Sequence, residues 1–252
     1  MTPLLEVRGL ARRFGGVHVL RGLDMDVAPG TITALIGPNG AGKTTAFACI
    51  SGVVRPDAGA VRFDGQDVTG WRPDRITRAG LVRTFQLARG ISRITVLENL
   101  LLYAQALSGD RFWPALAGAG RQAQDAALDR AWALARRLGL GSVANSPAGA
   151  LSGGQKKLLE IGRALMANPR LVLLDEPVAG VNPSLAEEIA ERLRELRAEG
   201  TAFLVIEHHL DLIARLCDPV IVMTEGRFLT QGCFAEVAAD ARVQDSYMGR
   251  RR

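Results

Sequence analysis

Lysine is almost missing from this 252-residue chain: Lys and Arg total 31, yet lysine stands only at positions 43, 156 and 157. The net charge of +5 is therefore carried by arginine. Such an excess suits nucleic acid, anionic lipid or nucleotide, but most charge of this kind is solvated surface. Long apolar runs are also missing. No stretch approaches the roughly 18 consecutive apolar residues of a membrane span. Any membrane is then met through another protein or at its surface. Residues 1–7 lack the basic segment and apolar run of a secretory leader. The cysteines, Cys49, Cys217 and Cys233, are odd in number with no close pair, which excludes a disulfide framework or zinc site and points to a reducing, cytoplasmic compartment. Cys49 sits in an apolar stretch and reads as core.

Low-complexity tracts and internal repeats are absent too, so the chain reads as one unit. Its opening alternates: Leu5, Val7 and then Leu10 point one way, with Glu6 and Arg8 between, as in a half-buried strand. Further strands are predicted at 17–20 and 23–27. After the Pro29-Gly30 turn, residues 31–36 read as a buried strand, followed by a helix over 43–50. Between about 89 and 140 the pattern is helical. Leu97, Leu100, Leu101 and Ala104 share one face, and Leu128, Trp132, Ala135 and Leu138 another, with a Gly/Pro/Ala-rich break at 114–120. From 151 onward helix and strand alternate: 155–167, 171–174, 183–199 and 202–206. That alternation predicts a mainly parallel sheet with crossover helices. Asn182-Pro183 is a helix start and Gly200 a stop. The expected architecture is α/β, with a core of about 1–88 and 150–252 and a helical insert of about 89–149.

The segment Gly37-Pro38-Asn39-Gly40-Ala41-Gly42-Lys43-Thr44 fits the pattern G-x-x-x-x-G-K-[ST]. Glycines let successive backbone N–H groups converge on one centre, and the helix that starts there adds its positive end. Lys43 brings a point charge to the β- and γ-phosphates, the Thr44 hydroxyl can hold Mg²⁺, and Thr45 continues the loop into the helix. A chance glycine turn is disfavoured by the buried strand before it and the helix after it. This is a nucleoside triphosphate site. Downstream, Leu171-Val172-Leu173-Leu174-Asp175-Glu176-Pro177 is an apolar strand ending in two acids. A strand buried on both faces delivers its last residues to the sheet's carboxyl edge, where ligands bind. Asp175 suits Mg²⁺ through its water shell, and Glu176 can take a proton from a water aimed at the γ-phosphate.

A second glycine-rich helix start, Leu151-Ser152-Gly153-Gly154-Gln155, precedes a helix whose Leu158, Ile161 and Leu165 line one side. Serine there is an ordinary cap, yet two glycines and a serine at a helix N-terminus also make an anion site. With these residues the whole chain resembles the ATP-binding cassette of ABC transporters, whose signature is LSGGQ. The resemblance implies a P-loop NTPase core with an N-terminal antiparallel β part and a helical insert lobe. It implies ATP and Mg²⁺ as ligands, with Ser152, Gly153, Gly154 and Gln155 facing the ATP of a second, head-to-tail cassette. Phe14 matches the residue that stacks on adenine, with a core phenylalanine as the ordinary alternative. Gln86, in Arg83-Thr84-Phe85-Gln86, matches the glutamine that reaches Mg²⁺ and the attacking water. His208 matches the switch histidine at the γ-phosphate, with His209 one residue on as the alternative. Asn182 stands where the family carries an aspartate after the Glu176 loop. It can still hydrogen-bond across an interface, but without charge.

Three stretches resemble the uptake cassettes for branched-chain (hydrophobic) amino acids in particular: 63–70, 78–86 and 176–183. So does the short end after Gln231-Gly232, which leaves no room for a regulatory domain. The partners so implied are permease subunits and, indirectly, a substrate-binding protein, at the cytoplasmic face of the inner membrane, with no nucleic acid. Urea or amide uptake and lipopolysaccharide export are neighbouring readings. A soluble ATPase acting on nucleic acid or ribosomes is disfavoured, because the insert is too short and too broken by glycine and proline for a long coiled coil.

Overall fold

The computed structural model describes residues 2–84, 92–107 and 119–248. Gln86 and the arginine tail at 249–252 lie outside the described residues.

Two sheets organise the chain. The first is antiparallel, formed by β1 (Leu5–Phe14), β2 (Val17–Val27), β4 (Ala58–Phe63) and β5 (Gln66–Asp67) in the order β2-β1-β4-β5. Residues 17–27 are one continuous strand here, where the sequence suggests two. Gly22 reads as a break, but pairing with β1 runs past it, from Leu10 opposite Leu23 to Ala11 opposite Arg21. Leu5, Val7 and Leu10 do share a buried face, although strict alternation would turn Leu10 outward. A register shift between Val7 and Leu10 corrects the parity, with Gly9 at φ 58 as the pivot and its N–H bonded to Asp24 Oδ1 at 2.7 Å.

The second sheet holds β3 (Ile32–Ile36), β6 (Leu81–Arg83), β7 (Leu171–Asp175), β8 (Ala202–Ile206), β9 (Val220–Thr224) and β10 (Arg227–Gly232) in the order β10-β9-β3-β8-β7-β6. All its pairings are parallel except that of β10 with β9. Every residue of β3 and β8 is buried, because both faces of this sheet are covered. On one face Leu35, Leu173, Leu204 and Ile221 pack with Phe47 and Ile50 of α1 (Lys43–Ile50) and with the antiparallel sheet. Cys49 is buried in the same core, and burial pushes its thiol up to about 11.

On the other face Ala34, Val172, Leu174, Val205 and Val222 share a core with the helical insert. The insert comprises α3 (Val96–Leu107) and α4 (Ala119–Arg137), while α2 (Pro73–Arg78) precedes it. Val96 and Leu100 meet Ala135 and Leu138 in that core, together with Leu158 and Ile161 of α5 (Gly153–Met166). Of the face expected on α4, Ala135 and Leu138 are buried and Trp132 is half-buried, but Leu128 is 37% exposed; Ala131 and Leu134 complete the buried stripe. The remaining helices are α6 (Pro183–Ala198), α7 (Leu210–Leu216), α8 (Phe234–Ala239) and α9 (Ala241–Met248). Among the described residues, no helix is long and apolar enough to cross a membrane.

Candidate functional site

The loop between β3 and α1 opens a cleft of about 280 Å³ at the carboxyl edge of the parallel sheet. Asn39, Gly40, Ala41, Gly42, Lys43, Thr44 and Thr45 line it, with Val19, Glu176, Ile206 and His208. Gly42 is the cap residue of α1 and is left-handed, at φ 99. A Cβ there would lie 2.9 Å from the Val19 carbonyl, so only glycine fits this turn against β2. No side chain caps α1 and its first turn carries no acid, which leaves the first-turn N–H groups to face the cleft. Lys43 is 7% exposed, and its ammonium donates to the carbonyls of Gly37 at 2.7 Å and Pro38 at 3.1 Å. Burial lowers its pKa, against the opposing charges of Glu176 and Asp175.

The acid pair arrives where β7 ends. Arg83 at the end of β6 donates to Asp175 Oδ2 at 3.1 Å and so fixes that carboxylate beside the loop. Glu176 leaves the strand at φ 50, a left-handed conformation uncommon for a residue with a side chain. Three contacts hold it there: its N–H donates to Ile206 O at 2.9 Å, and Ala179 N and Lys157 Nζ each donate to its carbonyl at 3.2 Å. This turn presents the Glu176 carboxylate to His208, with Oε1 3.1 Å from Nε2.

The neighbouring His209 is disposed differently. It is the cap residue of α7, and its Nδ1 turns to Glu207 Oε2 at 2.9 Å rather than into the cleft. Of the two histidines left open by the sequence, His208 is the one the fold brings to Glu176.

Phe14, residues 152–155 and Asn182 stand apart from the cleft. Phe14 is 46% exposed at the hairpin end of β1, with the Arg12 guanidinium 4.7 Å from its ring centre, so the core alternative fails. It does not line the cleft, whereas Val19 on the same hairpin does. Ser152 caps α5 reciprocally: its Oγ accepts from Gln155 N at 3.3 Å, and Gln155 Oε1 accepts from Ser152 N at 3.0 Å. Gly153 is exposed with open space around it, while Gly154 is buried, and a Cβ on it would fall 1.6 Å from Leu185 of α6. None of residues 152–155 lines the cleft of its own chain. The carboxamide oxygen of Asn182 caps α6 at Leu185 N, 2.9 Å away, on an exposed side chain.

Two residues of the site escaped the sequence reading. Lys157 counted only as a scarce residue, although its place two residues beyond the signature segment was a signal. Glu207 is an acid set directly after a fully buried strand, and its side chain is buried as well. An acid at that depth must be bonded, and that was the signal available.

A parallel sheet whose carboxyl edge brings a glycine-lysine loop against an acid and a histidine is the site of a P-loop nucleoside triphosphatase. The ABC transporter family pattern matches residues 20–179. The probable branched-chain amino acid transport ATP-binding protein LivG of Archaeoglobus fulgidus is 38% identical over 98% of this chain and 95% of its own length. The high-affinity branched-chain amino acid transport ATP-binding protein LivG of Escherichia coli K12 is 39% identical over 98% of each. The crystal structure of MJ1267 in its ADP conformation, an ATP-binding cassette of an ABC transporter, superposes with a TM-score of 0.88 at 34% identity, over 99% of this chain and 100% of that one. The chain belongs to the ABC transporter family. It is an ATP-binding cassette, the subunit that binds and hydrolyses ATP for a transporter.

Proposed function

We propose that this cassette works as one of a head-to-tail pair under a membrane permease, on the cytoplasmic face, and powers the uptake of branched-chain amino acids. The substrate class rests on the relatives named above, whose names specify branched-chain amino acid transport. The site chemistry rests chiefly on one observation: a carboxylate and an imidazole 3.1 Å apart on the wall of the glycine-lysine cleft.

In this reading the first-turn N–H groups of α1 and the Lys43 ammonium bind the β- and γ-phosphates. Thr44 and Asp175 offer the hard oxygen donors that Mg²⁺ takes, and they fit an ion that keeps waters and phosphate oxygens as its other ligands. Among the described residues there is no cluster of three or more His, Cys, Asp or Glu, as a dedicated protein cage would need. Bound there, Mg²⁺ supplies positive charge against the phosphate oxygens. Glu176 accepts a proton from the attacking water, and His208 orients that carboxylate and meets the γ-phosphate. By the family resemblance, Gln86 would serve the metal and the water, and Phe14 would stack on the adenine. Ser152, Gly153, Gly154 and Gln155 close over the nucleotide of the other chain, since they turn away from their own cleft. ATP then joins the pair, and hydrolysis releases it.

Glu176→Gln keeps the shape and removes the base. ATP hydrolysis should fall by about 10²–10⁴-fold while ATP affinity holds. Turnover near that of the unaltered protein would take Glu176 out of the mechanism. For the cargo, the cassette reconstituted with its co-purifying permease and binding protein should hydrolyse ATP faster with leucine, isoleucine or valine. Stimulation by urea or a short amide instead, or outward movement of lipopolysaccharide, would replace the substrate assignment.

A further inference from the structure

Glu207 is 3% exposed, yet it is an acid, and it sits where β8 gives way to the histidine segment. A buried carboxylate survives only when its lone pairs are met by donors. Four donors meet this one. Oε1 accepts from Val178 N at 3.2 Å. Oε2 accepts from His208 N at 2.7 Å, from His209 N at 3.2 Å and from His209 Nδ1 at 2.9 Å. Its charge is felt nearby: burial first, and then Glu207, push the Cys217 thiol up to about 12.

The two oxygens face different segments. One holds Val178, two residues beyond Glu176; the other holds the backbone of His208 itself. We infer that Glu207 is a positioning residue for hydrolysis, a single buried carboxylate that sets the loop carrying Glu176 and the segment carrying His208 at a fixed separation. The 3.1 Å approach of Glu176 to His208 is then maintained from beneath rather than by the exposed pair itself, each of whose side chains is 45% exposed. An exposed pair contributes little on its own, whereas bonds to a buried charge are strong. This inference rests on the reading of Glu176 and His208 as the hydrolytic pair.

Glu207→Gln tests it at nearly constant shape. An amide has one accepting oxygen and one donating nitrogen, so in either orientation its NH₂ group faces a backbone N–H. If it faces Val178, the Glu176 loop is released; if it faces His208 and His209, the histidine segment is. The expected result is kcat lowered about tenfold to a hundredfold, with KM and Kd for ATP unchanged. His209→Phe removes one donor of four at a ring that is 61% exposed; it should fold normally and lower kcat by a smaller factor. Wild-type kcat in Glu207→Gln would overturn the inference. So would a loss shared by kcat, Kd and melting temperature, which is the mark of general destabilisation. Should Glu207→Gln fail to fold, wild-type kcat in His209→Phe overturns it instead. Glu176→Gln assayed alongside separates the two levels. Normal turnover there removes the hydrolytic pair, whereas an inactive Glu176→Gln with a normal Glu207→Gln removes only the role of Glu207.

Discussion

The chain starts two helices with glycine-rich segments, and they are finished to different degrees. At α1 the cap is a left-handed glycine, no side chain takes the first-turn N–H groups, and the lysine beside them is nearly buried. At α5 the serine and glutamine bond each other's backbones, so part of the helix end is satisfied by the chain itself. The first loop is walled by β2, Glu176 beyond β7, the end of β8 and His208; the second is exposed at Ser152 and Gly153 and anchored at Leu151 and Gly154. The same physics of helix ends yields a complete phosphate cradle in one place and half of one in the other. On the proposed function, a second chain's nucleotide site would complete it.

That contrast can be broken most sharply at Gly153, where a new side chain meets nothing in its own chain. Gly153→Asp should leave the fold and ATP affinity of a single chain intact, yet lower turnover by about 10²–10³-fold by setting a carboxylate against phosphate. Equal loss of affinity, read by calorimetry, would mean that both loops serve one chain's nucleotide. Lys43→Ala strikes the complete cradle. It should weaken ATP binding by about 1.5–3 kcal/mol, tenfold to a hundredfold in Kd. Gly154→Ala drives a methyl group into Leu185 and should cost about 1–3 kcal/mol in denaturant unfolding. Smallest, Ser152→Ala removes half of the capping box and should cost about 0.5–2 kcal/mol. A change in unfolding much below that range would mean the serine is held for the nucleotide rather than for the helix.

What the sequence made legible is what is local. The strand 31–36, the loop after it and the helix 43–50 follow one another without interruption, and the apolar run ending in Asp175-Glu176 announces itself in the same way. Strand β8 and the Asn182 helix start are read at their true positions for the same reason. The misreadings have non-local causes. Gly22 breaks a pattern but not a strand, because β1 pairs across it. Leu128 belongs to the helical period of α4 and yet stays partly exposed. The ties to the catalytic loop were least visible of all: Lys157 bonds Glu176 from 19 positions away, and Glu207 bonds Val178 from 29. Nothing in a one-dimensional pattern marks such pairs except an odd residue in an odd place.

The bond from Lys157 to the Glu176 carbonyl has a consequence for timing. It fastens the helix that starts at the signature segment to the backbone of Glu176. In the head-to-tail pair proposed above, a displacement of that helix start would also displace Glu176. On the proposed function, this bond would couple the two nucleotide sites of the pair.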